Sequence, residues 1–210
     1  MRSFVNSSAS CPETAAVPDS WPAGEDGEQV EPKAQNGTSL RAWQLEDAPF
    51  LLELDSLPEM LRYLGPGVQP RSSLAEAEAS ILRRRAATRD GYGIWAVVDQ
   101  ASGQLAGNLL FKPFDSSKSP AREAEIGWHI HPAFQGRGHA GRAALAALAH
   151  GQAAGISRVH ALVEPANQAS VRVCQKLGFE VLESGQWFEG RPVIHYILEL
   201  QGCVAKLIAS

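Results

Sequence analysis

The order of hydrophobic patterns along this chain predicts an α/β fold of the mixed α+β kind. Two strand-like runs, Tyr92 to Asp99 and Gln104 to Phe111, are joined by a short turn containing Gly103, which is typical of an antiparallel hairpin. An Ala-rich helical run, 138–151, lies between two further strand-like runs, 123–131 and 159–164, which is typical of a parallel crossover. One sheet therefore contains both antiparallel and parallel strand pairs.

The remaining elements follow from apolar period and from capping and turn residues. Ser72 or Ser73 is expected to cap a helix that reaches about Thr88 and faces the core through Leu74, Ala77, Ile81 and Leu82. The run 83–85, three arginines, is expected to be a solvated helix end, and a phosphate clamp is the alternative. Further strands are expected at 40–43, 180–182 and 193–200, and further helices at 48–54, 58–64 and 168–177.

Length and composition indicate one folded domain with an N-terminal appendage. The chain has 210 residues, of which 44% are hydrophobic, enough to bury a core. Residues 1–36 lack a hydrophobic period and contain several prolines and six acidic against two basic residues. We expect this segment to be a flexible acidic tail, and residues 37–210 to form the domain.

Charge and cysteine content exclude several classes of protein. The formal net charge of −4 lies entirely in the first 36 residues, so the remainder is neutral and carries no basic footprint for nucleic acid. No apolar run is long enough to span a bilayer, and residues 1–20 lack the apolar block of a secretion signal. Three widely spaced cysteines predict no disulfide framework. We expect a cytoplasmic protein that binds neither nucleic acid nor membrane.

The segment after the strand at 123–131 has the chemistry of a phosphate site. Gly136 and Gly138 precede a helix whose first backbone N–H groups have no partner within the helix. Gly136, Gly138 and Gly141 also match the dinucleotide pattern G-x-G-x-x-G, with Glu164 23 residues further on. However, residues 132–135 separate the strand from the glycines, which disfavours a dinucleotide fold.

Taken with its surroundings, this turn resembles that of the GCN5-related N-acetyltransferases (the GNAT family). The resemblance spans about residues 38–200, and its nearest branch is that of the enzymes that acetylate ribosomal-protein N-termini. It is carried by an ordered set of motifs: Leu40-Arg41, Glu46-Asp47-Ala48, Arg62-Tyr63-Leu64, Glu125-Ile126-Gly127-Trp128, Gln135-x-x-Gly138-x-Ala140, and Asn167 with Ser170 and Lys176-Leu177-Gly178-Phe179.

The resemblance implies a sheet of about seven strands, mostly antiparallel, flanked by about four helices. It also implies that the strands at 123–131 and 159–164 splay apart, and that the pantetheine arm of acetyl-CoA enters the gap. The pyrophosphate would then lie on the amides of the glycine turn, and Asn167 beside the pantetheine amides. The residues so implied to bind the cofactor are Trp128, His129, Ile130, Gln135, Gly136, Arg137, Gly138, His139, Ala140, Gly141 and Asn167.

Three residues are candidates for catalysis. Relatives often hold a carboxylate where Glu125 lies, relaying the amine proton through water; the alternative is a strand-end charge paired with Arg122 or solvent. Many relatives have a tyrosine as proton donor where this chain has Cys174, a weaker donor that equally fits an apolar helix position. Ser170, one turn earlier, could donate instead. His129 and His131 are expected to be surface or partner-contacting residues, and no metal site is expected.

These residues predict an acetyl-CoA-dependent N-acetyltransferase that transfers the acetyl group directly to a primary amine in a ternary complex. A protein N-terminus is one expected acceptor, and a small amine such as an antibiotic or polyamine is the alternative. A CoA-binding module without catalysis is a second alternative, because the usual tyrosine is missing. The protein is expected to be a monomer or a homodimer.

Overall fold

The computed structural model describes residues 31–32, 36–63, 69–114, 121–187 and 191–200, which form one seven-stranded sheet with helices on both faces. The strands are β1 Thr38–Arg41, β2 Gly93–Asp99, β3 Leu105–Pro113, β4 Glu123–Ile130, β5 Arg158–Val163, β6 Glu180–Trp187 and β7 Arg191–Glu199. The helices are α1 Ala48–Leu54, α2 Pro58–Leu61, α3 Leu74–Ala86, α4 His139–Ala153 and α5 Gln168–Lys176. Two short 3-10 helices, Leu45–Asp47 and Pro132–Phe134, precede α1 and α4.

The sheet has the order β1-β2-β3-β4-β5-β7-β6, and β4–β5 is the parallel pair among its described strands. The predicted mixed, mostly antiparallel sheet and its β2–β3 hairpin are thereby confirmed. Strand β6 is longer than the three residues expected, because it pairs with β7 along nearly its whole length.

The two central strands separate after a short shared ladder. Residues Glu123, Ala124 and Glu125 of β4 pair with β5, whereas the rest of β4 pairs with β3 alone. Backbone groups of a strand point alternately to its two neighbours, so part of the polar backbone beyond Glu125 faces a gap. The predicted splayed strand pair is confirmed.

Helix α3 faces the sheet through a different set of residues than its sequence suggests. Ser73 caps it as expected, accepting from the Glu76 N–H at 3.3 Å. Ala77 and Ile81 are buried, but Leu74 and Leu82 are 48% and 54% exposed. The expected core face was therefore wrong at both leucines. Leu82 lies about 100° around the helix from Ile81, and small side chains at the true contact bring α3 close to the sheet.

Arg84 is the second difference on α3. The expectation of a solvated arginine run was wrong here, because Arg84 is buried on the same stripe as Ala77, Ser80 and Ile81. Its charge is paired there with Asp55, whose carboxylate lies 3.2 Å away.

Two cores form on opposite faces of the sheet. The larger one packs α4 and α5 against residues such as Phe111, Ile126 and Val159, and the smaller one packs α1 and α3 around Trp43 and Ala96. No helix among the described residues is long and apolar enough to cross a membrane.

Most of the expected tail, residues 1–30 and 33–35, lies outside the described residues. Glu31 is described, and its carboxylate accepts the Ala42 N–H at 2.9 Å. The domain boundary near residue 37 stays a prediction.

Candidate active site

A cavity of about 850 Å³ opens where β4 and β5 separate, within the size range of small-molecule and cofactor sites. Its walls come from β3, β4 and β5, from α2 and α3 on one face, and from α4 and α5 on the other. All the site residues expected from the sequence line this cavity except Arg137 and Cys174.

The glycine turn at one end of the cavity has the backbone geometry of an anion site. Gly136 and Gly138 adopt φ of +74° and +81°, the left-handed region that side chains disfavour. Gly138 caps α4, and the first helical bond of that helix runs from the Arg142 N–H to the Gly138 carbonyl at 3.2 Å. The amides of residues 139–141 therefore point out of the helix without an acceptor within it.

Side chains hold this turn in place from behind. The Gln135 amide donates from Nε2 to the Ile130 carbonyl at 2.9 Å, and Arg142 donates to the Arg137 carbonyl at 2.6 Å. The guanidinium of Arg137 lies over the Phe134 ring, 5.1 Å from its centroid. Phe134 lines the cavity, whereas Arg137 itself does not.

His139 turns its side chain toward β1. Its Nδ1 lies 2.9 Å from the Thr38 hydroxyl, and burial lowers the pKa of the ring. Only the backbone of His139 is therefore presented in the glycine turn.

Trp128, Ser170 and Asn167 join β4 to α5 across the gap. The Trp128 indole donates from Nε1 to the Ser170 Oγ at 3.2 Å, and Asn167 Oδ1 caps α5 by accepting the Ser170 N–H at 3.2 Å. An indole N–H can only donate, so the Ser170 oxygen accepts there and its hydroxyl proton is directed elsewhere.

Glu125 lies where the two strands begin to separate. Its carboxylate is buried and lies 3.3 Å from the buried Lys112 ammonium. Burial raises the pKa of Glu125, and the Lys112 charge partly opposes that rise. Arg122, the partner considered from the sequence, instead donates to the backbone oxygens of Asp90 and Ala154.

The two neighbouring histidines have different positions. His129 lines the cavity, and burial lowers the pKa of its ring. His131 follows the strand and accepts the Ala133 N–H on Nδ1, with Glu53 3.3 Å from Nε2.

Cys174 does not reach the cavity. Its side chain is fully buried in the larger core, and burial raises the pKa of the thiol to about 12. This is the apolar helix position that the sequence left open, so we do not retain Cys174 as a proton donor.

Sequence reasoning missed two residues that line the cavity, Arg84 and Asn108, and one that contacts a lining residue, Lys112 beside Glu125. Arg84 continues the Ala77–Ile81 stripe by three residues, so extending the helical period would have found it. Asn108 and Lys112 are polar residues inside an otherwise apolar strand, a pattern that indicates buried partners.

The same geometry argues against a dinucleotide site. The glycine turn follows a 3-10 helix instead of a strand, and β4 is bonded to the antiparallel β3 on its other side. A doubly wound dinucleotide domain requires parallel strands around the turn.

Comparisons with known proteins agree with this site. Residues 38–180 match the model of the Acetyltransferase (GNAT) domain. A Bacillus subtilis protein, the uncharacterized N-acetyltransferase YoaA, is 29% identical over 158 residues, covering 73% of this chain and 86% of YoaA.

Solved structures show the same fold. RimL, a ribosomal L7/L12 alpha-N-protein acetyltransferase in complex with coenzyme A, superposes with a TM-score of 0.68 at 21% identity, covering 81% of this chain and 98% of RimL. Spermidine N-acetyltransferase from Vibrio cholerae, in complex with CoA and spermine, superposes with a TM-score of 0.65 at 20% identity, covering 80% of this chain and 98% of that enzyme.

The chain therefore belongs to the GNAT family of acetyltransferases. It is an N-acetyltransferase, and acetyl-CoA is its acetyl donor. Its structural neighbours include both protein and polyamine acetyltransferases, so the family alone does not name the acceptor.

Proposed function

We propose that this enzyme transfers the acetyl group from acetyl-CoA directly to the α-amine of a protein or peptide N-terminus. The observation that carries the proposal is the buried Glu125 carboxylate at the point where β4 leaves β5, with its charge balanced by Lys112. Such a carboxylate is a mild base. Its negative charge is already paired with the Lys112 ammonium, so it attracts a cationic substrate less than a free carboxylate would.

The strength of the base suits an α-amine. An N-terminal α-amine has a pKa of about 7.7–8.0, so an appreciable fraction is neutral near pH 7.5. A lysine or polyamine amine lies about 2.5 pKa units higher, roughly 3.5 kcal/mol of additional cost for the neutral form. Glu125, acting through water, then has to remove only the one proton that the neutral α-amine loses as the amide bond forms.

The cofactor would occupy the gap and the glycine turn. In this proposal the pantetheine arm pairs with the exposed backbone edge of Trp128, His129 and Ile130, and Asn167 lies beside its amides. The amides of Gln135, Gly136, Arg137, Gly138, His139, Ala140 and Gly141 receive the pyrophosphate. The Ile130 N–H would polarise the thioester carbonyl as charge develops on its oxygen.

Direct transfer is supported by the position of Cys174. A two-step mechanism would need a nucleophile that reaches the thioester, but this thiol is fully buried and away from the cavity. Ser170 lines the cavity with its hydroxyl proton available, and we assign it the proton delivered to the departing thiolate.

The test is the pH dependence of Glu125→Gln. General-base catalysis contributes about 10²–10⁴-fold, so turnover with an N-terminal peptide should fall by at least about 100-fold at pH 7. Raising the pH to about 8 should restore turnover only in part, because the neutral fraction of an amine with a pKa of about 7.7–8.0 rises roughly four- to sixfold between pH 7 and pH 8. Acetyl-CoA affinity, measured by calorimetry, should hardly change.

A matched variant separates chemistry from folding. Glu125→Gln removes the carboxylate that lies 3.3 Å from the buried Lys112 ammonium, whereas the double variant Lys112→Gln with Glu125→Gln removes both charges of this pair. The double variant should recover thermal stability without recovering turnover. Full turnover of folded Glu125→Gln at pH 7 would remove Glu125 from the mechanism.

A further inference from the structure

Arg84 is fixed on the acceptor side of the cavity by three side chains. Its guanidinium donates to Ser80 Oγ at 3.2 Å, to Asn108 Oδ1 at 2.5 Å and to Asp55 Oδ2 at 3.2 Å. A guanidinium has five N–H groups, so two have no acceptor among the residues that the structure describes. Arg84 lines the cavity, so these two N–H groups can donate to a molecule bound there.

The orientation of Asn108 follows from its neighbours. Its Oδ1 receives both the Arg84 guanidinium and, at 3.2 Å, the Trp43 indole N–H. Neither neighbour can accept a hydrogen bond, so the oxygen of Asn108 must face them. The Nδ2 group is then the polar atom that Asn108 offers to the cavity, and it has no acceptor within the described part of the chain.

These donors lie beside the gap where the thioester would be placed. Asn108 is the cross-strand partner of His129, and Gly127, two residues earlier on the same face of β4, carries no side chain. Burial keeps the pKa of the His129 ring low, so that side chain adds no positive charge near neutral pH. Asp55 is shared between Arg84 and Arg71, which lies 2.6 Å from it, so the carboxylate beside Arg84 is already paired twice. The carboxylates that line the cavity are Glu59, Glu125 and Glu164.

We propose that Arg84 and Asn108 bind the carbonyl oxygen adjacent to the reacting amine, which makes an α-aminoacyl group the acceptor class. In a peptide N-terminus the carbonyl group is attached to the Cα that carries the reacting amine. A polyamine has no carbonyl group and carries only further ammonium groups. The unused N–H groups of Arg84 and Asn108 would donate to this carbonyl oxygen, whereas a polyamine offers them no acceptor. The inference rests on the proposed transfer to an α-amine and specifies how that amine is selected.

The experiment uses Asn108→Asp, because the aspartate keeps an oxygen for Arg84 and Trp43 while it replaces the Nδ2 donors by an acceptor. Initial rates of thiol release are measured with a glycyl tripeptide amide and with n-butylamine, which lacks the carbonyl. We expect KM for the tripeptide to rise at least tenfold in the variant, with KM for n-butylamine and for acetyl-CoA changed less than threefold. Activity toward spermidine should rise relative to the tripeptide.

A second measurement needs no variant. Corrected for the fraction of neutral amine, the unmodified enzyme should prefer the tripeptide over n-butylamine by at least tenfold in kcat/KM. Equal preference, or equal losses for both amines in folded Asn108→Asp, would overturn the inference while leaving acetyl transfer intact. Absence of transfer to either amine by the unmodified enzyme would instead overturn the proposed function and this inference with it.

Discussion

At the scale of single residues, Ser170 and Cys174 lie one helical turn apart, yet Ser170 lines the cavity and Cys174 is part of the larger core. Both lie on α5, four residues apart and so on neighbouring parts of one face. Ser170 is in the first turn, beside the gap, and contacts Trp128 of β4. Cys174 is a turn further on, where the larger core encloses it.

We therefore expect Ser170→Ala and Cys174→Ala to differ sharply. Loss of the Ser170 hydroxyl should lower kcat by about 10²-fold if it protonates the thiolate, within the range of general acids. Cys174→Ala should leave kcat within about threefold of normal and lower the melting temperature slightly, because it removes only buried packing atoms. Steady-state rates and thermal melts measure both effects. A tenfold loss of kcat in folded Cys174→Ala would return the thiol to the mechanism.

At the scale of elements, the turn from β4 into α4 combines strain with an exposed helix end. Gly138 is both the left-handed residue and the N-cap of α4. A Cβ built there would lie 2.7 Å from Nη1 of Arg142, the end of a flexible side chain that can move aside. The positive φ of Gly138 strains any side chain placed there, so a variant at this position has to be compared with a second variant that carries the same strain.

Gly138→Asp should abolish acetyl-CoA binding, because a carboxylate at this N-cap would occupy the place of the pyrophosphate and repel it. Aspartate and asparagine tolerate a positive φ better than most residues do, and both would carry the same strain at this N-cap. Gly138→Asn is the matched control, similar in shape but neutral, and should retain more affinity in calorimetry. Equal acetyl-CoA affinity in the aspartate variant and the unmodified enzyme would refute the placement of the phosphates.

At the scale of the whole molecule, a row of polar side chains, buried except for the exposed Glu183, crosses the sheet from β4 to β6. His160 Nε2 lies 2.9 Å from the Glu123 carboxylate, and His160 Nδ1 lies 2.8 Å from His195 Nε2. An ionised carboxylate can only accept, so His160 donates from Nε2 to Glu123. Its Nδ1 then accepts a hydrogen bond from the Nε2–H of His195. Glu183 lies 3.5 Å beyond, at His195 Nδ1, and Phe114 stacks on His160.

This row should make stability depend on pH. Burial lowers the pKa of both histidines below that of the unfolded chain, so below about pH 6.5 the unfolded state binds more protons than the folded state. The free energy of unfolding should therefore fall as the pH drops through that region. Glu125 acts with the opposite sign at acidic pH, since its raised pKa favours proton uptake by the folded state.

A difference measurement isolates the histidines. Urea unfolding of the unmodified enzyme and of His160→Gln, followed from pH 8 to pH 5, should show a shallower pH slope in the variant. Parallel slopes would mean that burial does not lower the pKa of His160 in the folded state.

Local chemistry decided much of the fold and of the cofactor side in advance. The β2–β3 hairpin, the Ser73 cap and the glycine turn depend on neighbours within a few residues, so their residues carry the information. For the same reason nearly all the residues expected at the cofactor side line one cavity. Element ends such as those of β6 were less predictable, because pairing with β7 extends them.

The acceptor side was decided by tertiary structure. Nothing local to Arg84 predicts that Asp55, 29 residues away, and Asn108, 24 residues away, would make its burial favourable. Lys112 likewise becomes the partner of Glu125 only through the β3–β4 register. The sequence by itself determined the sheet, the glycine turn and the acetyl-CoA chemistry. Only the packing of α3 and β3 against β4 decided which polar groups are brought together on that face, because a buried charge is stable only where distant partners meet it.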